Sequence, residues 1–153
     1  MQTDRDFTFT QVNTLSSGYA YPMRAIQDLR YCLFFSPWAR GPVKYRSESM
    51  IGLTFPAMAE AAKTDKRIAA RVDQLVAGYP IAFYDLKSDP GQRINLIIDK
   101  RDAARIKRMA SALIVQMERT ADPELENVRT ILAGGTPSVQ QDVERYRLRN
   151  GGD

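Results

Sequence analysis

The chain has 153 residues, 44% of them apolar and 26% charged, with a formal net charge of +4 and a pI near 9.3. That length suits one domain with a true hydrophobic core rather than two, and the composition excludes wholesale disorder. No apolar run approaches the roughly 20 residues of a spanning helix, and histidine is absent, which removes the commonest general base and the commonest zinc ligand.

The expectation is a single compact domain over 1–150 with an N-terminal arm and a C-terminal tail. Cys32 is the one cysteine, so neither an internal disulfide nor a multi-cysteine metal site is available, and its setting in "RYCLFF" predicts a buried thiol. The opening "MQTDRDFTFT" is acidic where a signal peptide would be basic, which predicts a cytoplasmic protein that spans no membrane. No cofactor, metal or catalytic motif is evident.

In chain order, "DFTFTQV" alternates Phe7, Phe9 and Gln11 with Thr8, Thr10 and Val12, as a strand or a loosely attached arm would. "YPMRAIQDLRYCLFF" spaces Met23, Ile26, Leu29 and Leu33 at helical intervals with Pro22 suited to a first turn, predicting a helix over about 22–35. "SPWARGP" then breaks it, and the mix of aromatic and basic residues from Tyr31 to Arg46 reads as core aromatics with a solvated loop, or as a stacking surface for single strands. Residues 47–78 read as two helices bent at "KTDK", the second carrying Ile68, Val72, Leu75 and Val76 and stopping at Gly78. "IAFYDLKS" is strand-like, "SDPG" a tight turn, and "QRINLIID" a second strand that pairs with the first or with another chain.

From Asp99 a long helix runs to about Arg119. At 100° per residue, Ala103, Ile106, Ala110, Leu113, Ile114 and Met117 gather on one side with Met109 at the edge, and Arg101, Arg105 and Arg108 lie opposite, with Arg119 in line. That stripe, read as having few acidic neighbours, suits phosphate contact, or is simply a solvated face. "DPELENVRTILAGG" is a short helix that Asp122 caps, and "TPSVQQDVERYRLRNGGD" a polar amphipathic one. The fold class expected is α+β, predominantly helical, with a short β-hairpin or an intersubunit β-ribbon.

In "RINLIID", Ile94, Leu96 and Ile98 face one way and Arg93, Asn95 and Ile97 the other. Arginine and asparagine suit the edges of guanine and adenine, and a two-stranded ribbon fits the major groove. "RINLIIDKRDAARIKRMASALI" resembles the strand and first helix of ribbon-helix-helix DNA-binding proteins, with "ELENVRTILAGG" as the second helix. The stretch from "LRYCLFF" to "AARVDQL" is similar in its spacing of apolar blocks to the AcaB-like transcriptional regulators of conjugative elements, on "MIGLTF", the alanine-rich helix after it and Asp65. These resemblances imply a non-enzymatic regulator that binds double-stranded DNA as a homodimer, through a ribbon at about 92–98 and a basic helix at about 100–119. Arg93 and Asn95 would contact bases, and Lys100, Arg101, Arg105 and Arg108 phosphates. Two rivals stay open. A protein–protein adaptor would dock through the Trp38 loop or through Arg145, Arg147 and Arg149, and an enzyme would use Asp85, Asp89, Tyr84 and Lys87.

Overall fold

The computed structural model describes residues 6–15, 18–42 and 44–139. Its centre is a four-stranded antiparallel sheet in sequential order: β1 (Thr8–Thr14), β2 (Ala20–Gln27), β3 (Tyr31–Phe35) and β4 (Ile81–Asp85). Between β3 and β4 the chain forms α1 (Thr54–Ala61) and α2 (Lys66–Ala77), and after β4 it forms α3 (Ala103–Arg119) and α4 (Leu125–Leu132). The expectation of a predominantly helical domain with a short hairpin is therefore corrected. The sheet is the scaffold, and four α-helices among the described residues are hung on it.

The main error lies at 22–35, where the expected helix is two paired strands. Ile26 faces Leu33 and Arg24 faces Phe35 across the β2–β3 ladder. The residues between them form a turn in which the Asp28 carboxylate accepts from the amides of Arg30 (2.8 Å) and Tyr31 (2.6 Å), an Asx-type closure that needs no glycine. Leu29, counted towards an apolar helix face, sits at the tip and is fully exposed. Tyr21, Ile26, Tyr31, Phe34 and Phe35 are aromatic or β-branched and fit a pleated surface better than a helix. The N-terminal stretch is the strand alternative rather than the arm, since Thr8 through Val12 pair with β2.

Side chains alternate across the sheet, so β2, β3 and β4 each serve two layers. On one face Ile26, Leu33, Phe35 and Phe83 pack against Met109, Ala110, Leu113 and Met117 of α3 and Val128 and Ile131 of α4, all buried. The predicted apolar sector of α3 is thus confirmed in its centre, although Ala103 at its start is exposed. Arg24 enters the same layer at 2% exposure. Its Nε and Nη2 donate to Asp122 at 2.6 and 2.8 Å, and its remaining donors reach the Val12 and Met23 carbonyls and the Asn13 side chain. All five guanidinium hydrogens are used, as burial of that cation requires. Burial would raise the Asp122 carboxyl, but the bonds from Arg24 and the Glu124 amide outweigh it and hold it below the ordinary aspartate range. Asp122 therefore clamps the α3–α4 turn to β2; as a helix cap it is secondary, the cap position of α4 being Glu124.

The two helices expected between 47 and 78 are α1 and α2, with the bend at "KTDK". Asp65 caps α2 by accepting from Arg67 and Ile68 amides, and Gly78 ends it at φ 67°. The predicted strand at 92–98 is an irregular segment instead. The Leu96 amide donates to the Phe83 carbonyl (2.8 Å), but the rest of its attachment to β4 runs through one side chain, Asn95. No helix among the described residues is long and apolar enough to cross a membrane. The amphipathic helix expected at the C-terminus, with Arg145, Arg147 and Arg149, falls largely outside the described residues.

Candidate binding site

The second face of the sheet carries Met23, Phe34, Ala82 and Tyr84, the neighbours in alternation of the core residues just named. These four side chains form the floor of an open pocket of about 540 Å³. One wall is the loop after β3, where Trp38 stacks on Tyr45 (ring centroids 5.5 Å apart, 25° between planes) and meets the edge of Tyr21 at 5.3 Å. Backbone bonds pin this loop to the end of α2: Arg40 N–H to the Ala77 carbonyl, Tyr45 N–H to Val76 and Ser36 N–H to Pro80. Gly78 is needed there, because a Cβ on it would stand 3.0 Å from the Trp38 ring and 3.2 Å from Ala39. Trp38 is 4% exposed, and its indole N–H has no hydrogen-bond partner among the described residues.

The roof is α2, with Met58 of α1 at its side. Arg71, Gln74, Leu75 and Gly78 recur at helical spacing on the side of α2 that overhangs the floor. Arg71 Nη1 donates to Gln74 Oε1 (2.8 Å) and Nη2 to the Gly91 carbonyl (3.2 Å), so its neighbours are neutral acceptors, and no carboxylate among the described residues pairs with it. Gln74 Nε2 in turn reaches the Gln92 carbonyl (2.9 Å) and the Tyr84 hydroxyl (3.3 Å). Burial pushes the Tyr84 phenol up, so it stays protonated at neutral pH. The site therefore combines an aromatic and apolar floor with a convergent set of neutral donors and one uncompensated cation, the usual make-up of a recognition pocket. Sequence reading noticed Trp38 and Tyr84 but passed over Arg71 and Gln74; the signal was their placement at i and i+3 before Leu75 and Gly78.

The residues assigned to DNA contact lie elsewhere. Asn95 is spent inside the fold: its Oδ1 accepts from the amides of Phe83 and Ile97 (both 3.0 Å), and its Nδ2 donates to the Ile81 carbonyl. Arg93 has an exposed side chain, while its backbone N–H is bound by Asp89. On the α3 stripe, Arg101 is bound three ways to Asp99, whose carboxyl is held down at about 2 by those contacts. Arg105 pairs with Asp102 and lies 3.9 Å from the Tyr31 ring centroid, and Arg108 sits 3.8 Å from Asp28 and over Phe7. The expected scarcity of acidic neighbours is corrected: Asp99 and Asp102 lie just before the helix, and Asp28 comes from the β2–β3 turn. Lys100, Lys107 and Arg119 are exposed and pair with no carboxylate among the described residues.

The carboxylates considered for acid–base work are tied into turns. Arg30 holds Asp85 well below the usual range through paired bonds of 2.6 and 3.0 Å, and Asp89 accepts from the Arg93 and Ile94 amides. Tyr84 projects to the opposite face of the sheet from Asp85. Cys32 is buried, and burial raises its thiol to about 11, which keeps it un-ionised at neutral pH. Among the described residues no cluster of carboxylates, cysteine or histidine could hold a metal ion.

No protein-family model matches the chain, and no curated protein matches it. Among solved structures it is similar to BT1596, a 2-O GAG sulfatase, at 14% identity and a TM-score of 0.49, with 95% of this chain aligned to 21% of that one. It is also similar to a candidate sulfatase from Bacteroides thetaiotaomicron VPI-5482 at 13% identity and a TM-score of 0.37, over 96% of this chain and 21% of the other. The chain thus spans about a fifth of the length of those proteins. Neither likeness is close enough to carry an activity over to this chain.

Proposed function

We propose that this chain is a non-enzymatic docking domain, which presents the second face of its sheet, with the α1–α2 wing beside it, to another protein. The observation that carries this reading is the contrast in burial between the helices. Four residues of α3 are buried, whereas α1 buries none, and Ile51 and Leu53 at its entrance are 82% and 93% exposed. Met58 of the same helix continues that apolar surface into the pocket. Large exposed apolar side chains joined to an open aromatic pocket mark an interaction surface more often than a bare solvent face. The test is photo-crosslinking in cells from benzoyl-phenylalanine placed at position 53, with position 115 on α3 as the control. A discrete protein adduct from 53, absent from 115 and abolished by Ile51→Asp in a folded chain, is expected; identical patterns from both positions would defeat the reading.

A second reading, a DNA-binding regulator acting as a homodimer, draws on Arg93, Lys100, Lys107 and Arg119, exposed cations that pair with no carboxylate among the described residues. It calls for duplex DNA binding that weakens steeply with salt, since each neutralised phosphate releases counterions. Fluorescence anisotropy at two salt concentrations, with the mass in solution, tests it. Absence of binding at low salt removes it.

A further inference from the structure

From the pocket chemistry we infer which kind of segment docks: a stretch of partner protein that places an aromatic side chain on the Phe34–Ala82–Tyr84 floor and an adjacent carboxylate beside Arg71. The inference rests on the docking reading and specifies its occupant.

Three observations converge on it. The floor is wide and apolar, flanked by the stacked rings of Trp38 and Tyr45, and a volume of about 540 Å³ accommodates an aromatic side chain with its backbone. Arg71 lines the pocket with only neutral acceptors among the described residues, whereas Arg40, on the neighbouring loop, is already paired with Asp73. Among the described residues its hydrogen bonds use Nη1 and Nη2, which leaves Nε–H to join an incoming carboxylate in a charge-assisted bond. Finally, the pocket is lined by Met58 of α1, the helix whose entrance carries the exposed Ile51 and Leu53. An extended chain can engage both, where a small molecule would fill the pocket alone.

Trp38 is the one tryptophan of the chain and lines the pocket, so its fluorescence reports occupancy directly. The probes are acetyl-Ala-Asp-Phe-Ala-amide, the same peptide with Asn in place of Asp, and free 3-phenylpropionate. The expected result is saturable change with the Asp peptide, at least tenfold tighter than with either of the other two, and loss of the Asp-over-Asn preference in Arg71→Gln. Equal affinity for the Asp and Asn peptides, or an unchanged preference in Arg71→Gln, would overturn the role of Arg71. Phenylpropionate binding as tightly as the peptide would reassign the pocket to a small organic acid. If Arg71→Gln does not fold, the Asp and Asn peptides compared on the unaltered chain decide the matter. Failure of the peptides with the position-53 adduct intact would remove this inference alone, whereas loss of both would remove the docking reading as well.

Discussion

The two faces of the sheet are built from alternate residues of the same three strands, yet they are finished differently. The face holding Ile26, Leu33, Phe35 and Phe83 is sealed by α3 and α4 and cross-tied by the buried Arg24–Asp122 pair. Its counterpart, holding Met23, Phe34, Ala82 and Tyr84, is roofed only by α2 and a loop, with α1 beyond them. A helix that follows the sheet with a long apolar sector closes one layer fully. A short helix with no buried residue leaves the other available. One face holds the buried core and the other stands open for the docking we propose, and that contrast can be attacked experimentally.

The largest effects belong to the sealed face. Asp122→Asn should cost about 3–5 kcal/mol in urea unfolding, because it leaves the Arg24 cation buried without its counter-charge. The same pair gives a pH signature. The Asp122 carboxyl lies below its ordinary value in the folded state, and so does that of Asp85. The stability they add is therefore complete above the unfolded aspartate pKa of about 3.9 and is lost as pH falls through the lower folded values. Unfolding midpoints taken down an acid series should decline below about pH 4 in the unaltered chain, and less steeply in Asp122→Asn. A flat acid series would remove the clamp from the account.

Phe83→Ala should also cost about 3–5 kcal/mol, since the ring is wholly buried against α3. Met58→Ala, on the open side, should cost well under about 1 kcal/mol, as expected for a partly exposed side chain away from the core. Comparable losses would mean that the roof is as integral to folding as the core and would end the contrast between the faces. A smaller effect, about 1–3 kcal/mol, is expected of Asn95→Ala, which strands the amides of Phe83 and Ile97. Faster amide exchange at Phe83 would locate that loss at the β4 edge. Asp65→Ala should cost about 1 kcal/mol through loss of the α2 cap, read as a lowered unfolding midpoint with the closed face still intact.

Much of the chain announces its local structure. In α2, α3 and α4 a 3.6-residue apolar period is sustained and bounded by Asp65, Gly78 and Asp99, and β4 is short, apolar and followed by a turn sequence. The 22–35 stretch misleads because Met23, Ile26, Leu29 and Leu33 mimic a helical face, and the turn that divides it depends on a carboxylate bonding to two amides rather than on glycine. The 92–98 stretch misleads in the other sense: it alternates like a strand, but Asn95 supplies from its side chain bonds that a ladder would draw from backbone. As for the site, Trp38 and Tyr84 were visible as candidates, whereas nothing in the local sequence singles out Arg71. Its significance comes from having only neutral partners among the described residues, one of them the Gly91 carbonyl 20 residues away in sequence.

Periodicity, capping residues and composition determined by themselves that this chain would fold with α2, α3, α4 and β4 and without histidine or thiol-cluster chemistry, because those are consequences of local spacing and residue type. Pairing was decided only in three dimensions. Which strands lie side by side, that Arg24 would find Asp122 across 98 residues, that Arg108 of α3 would meet Asp28, and that one face would stay open all depend on contacts between distant segments. Such contacts are selected by burial and charge compensation over the whole domain, and no local window of sequence contains both partners.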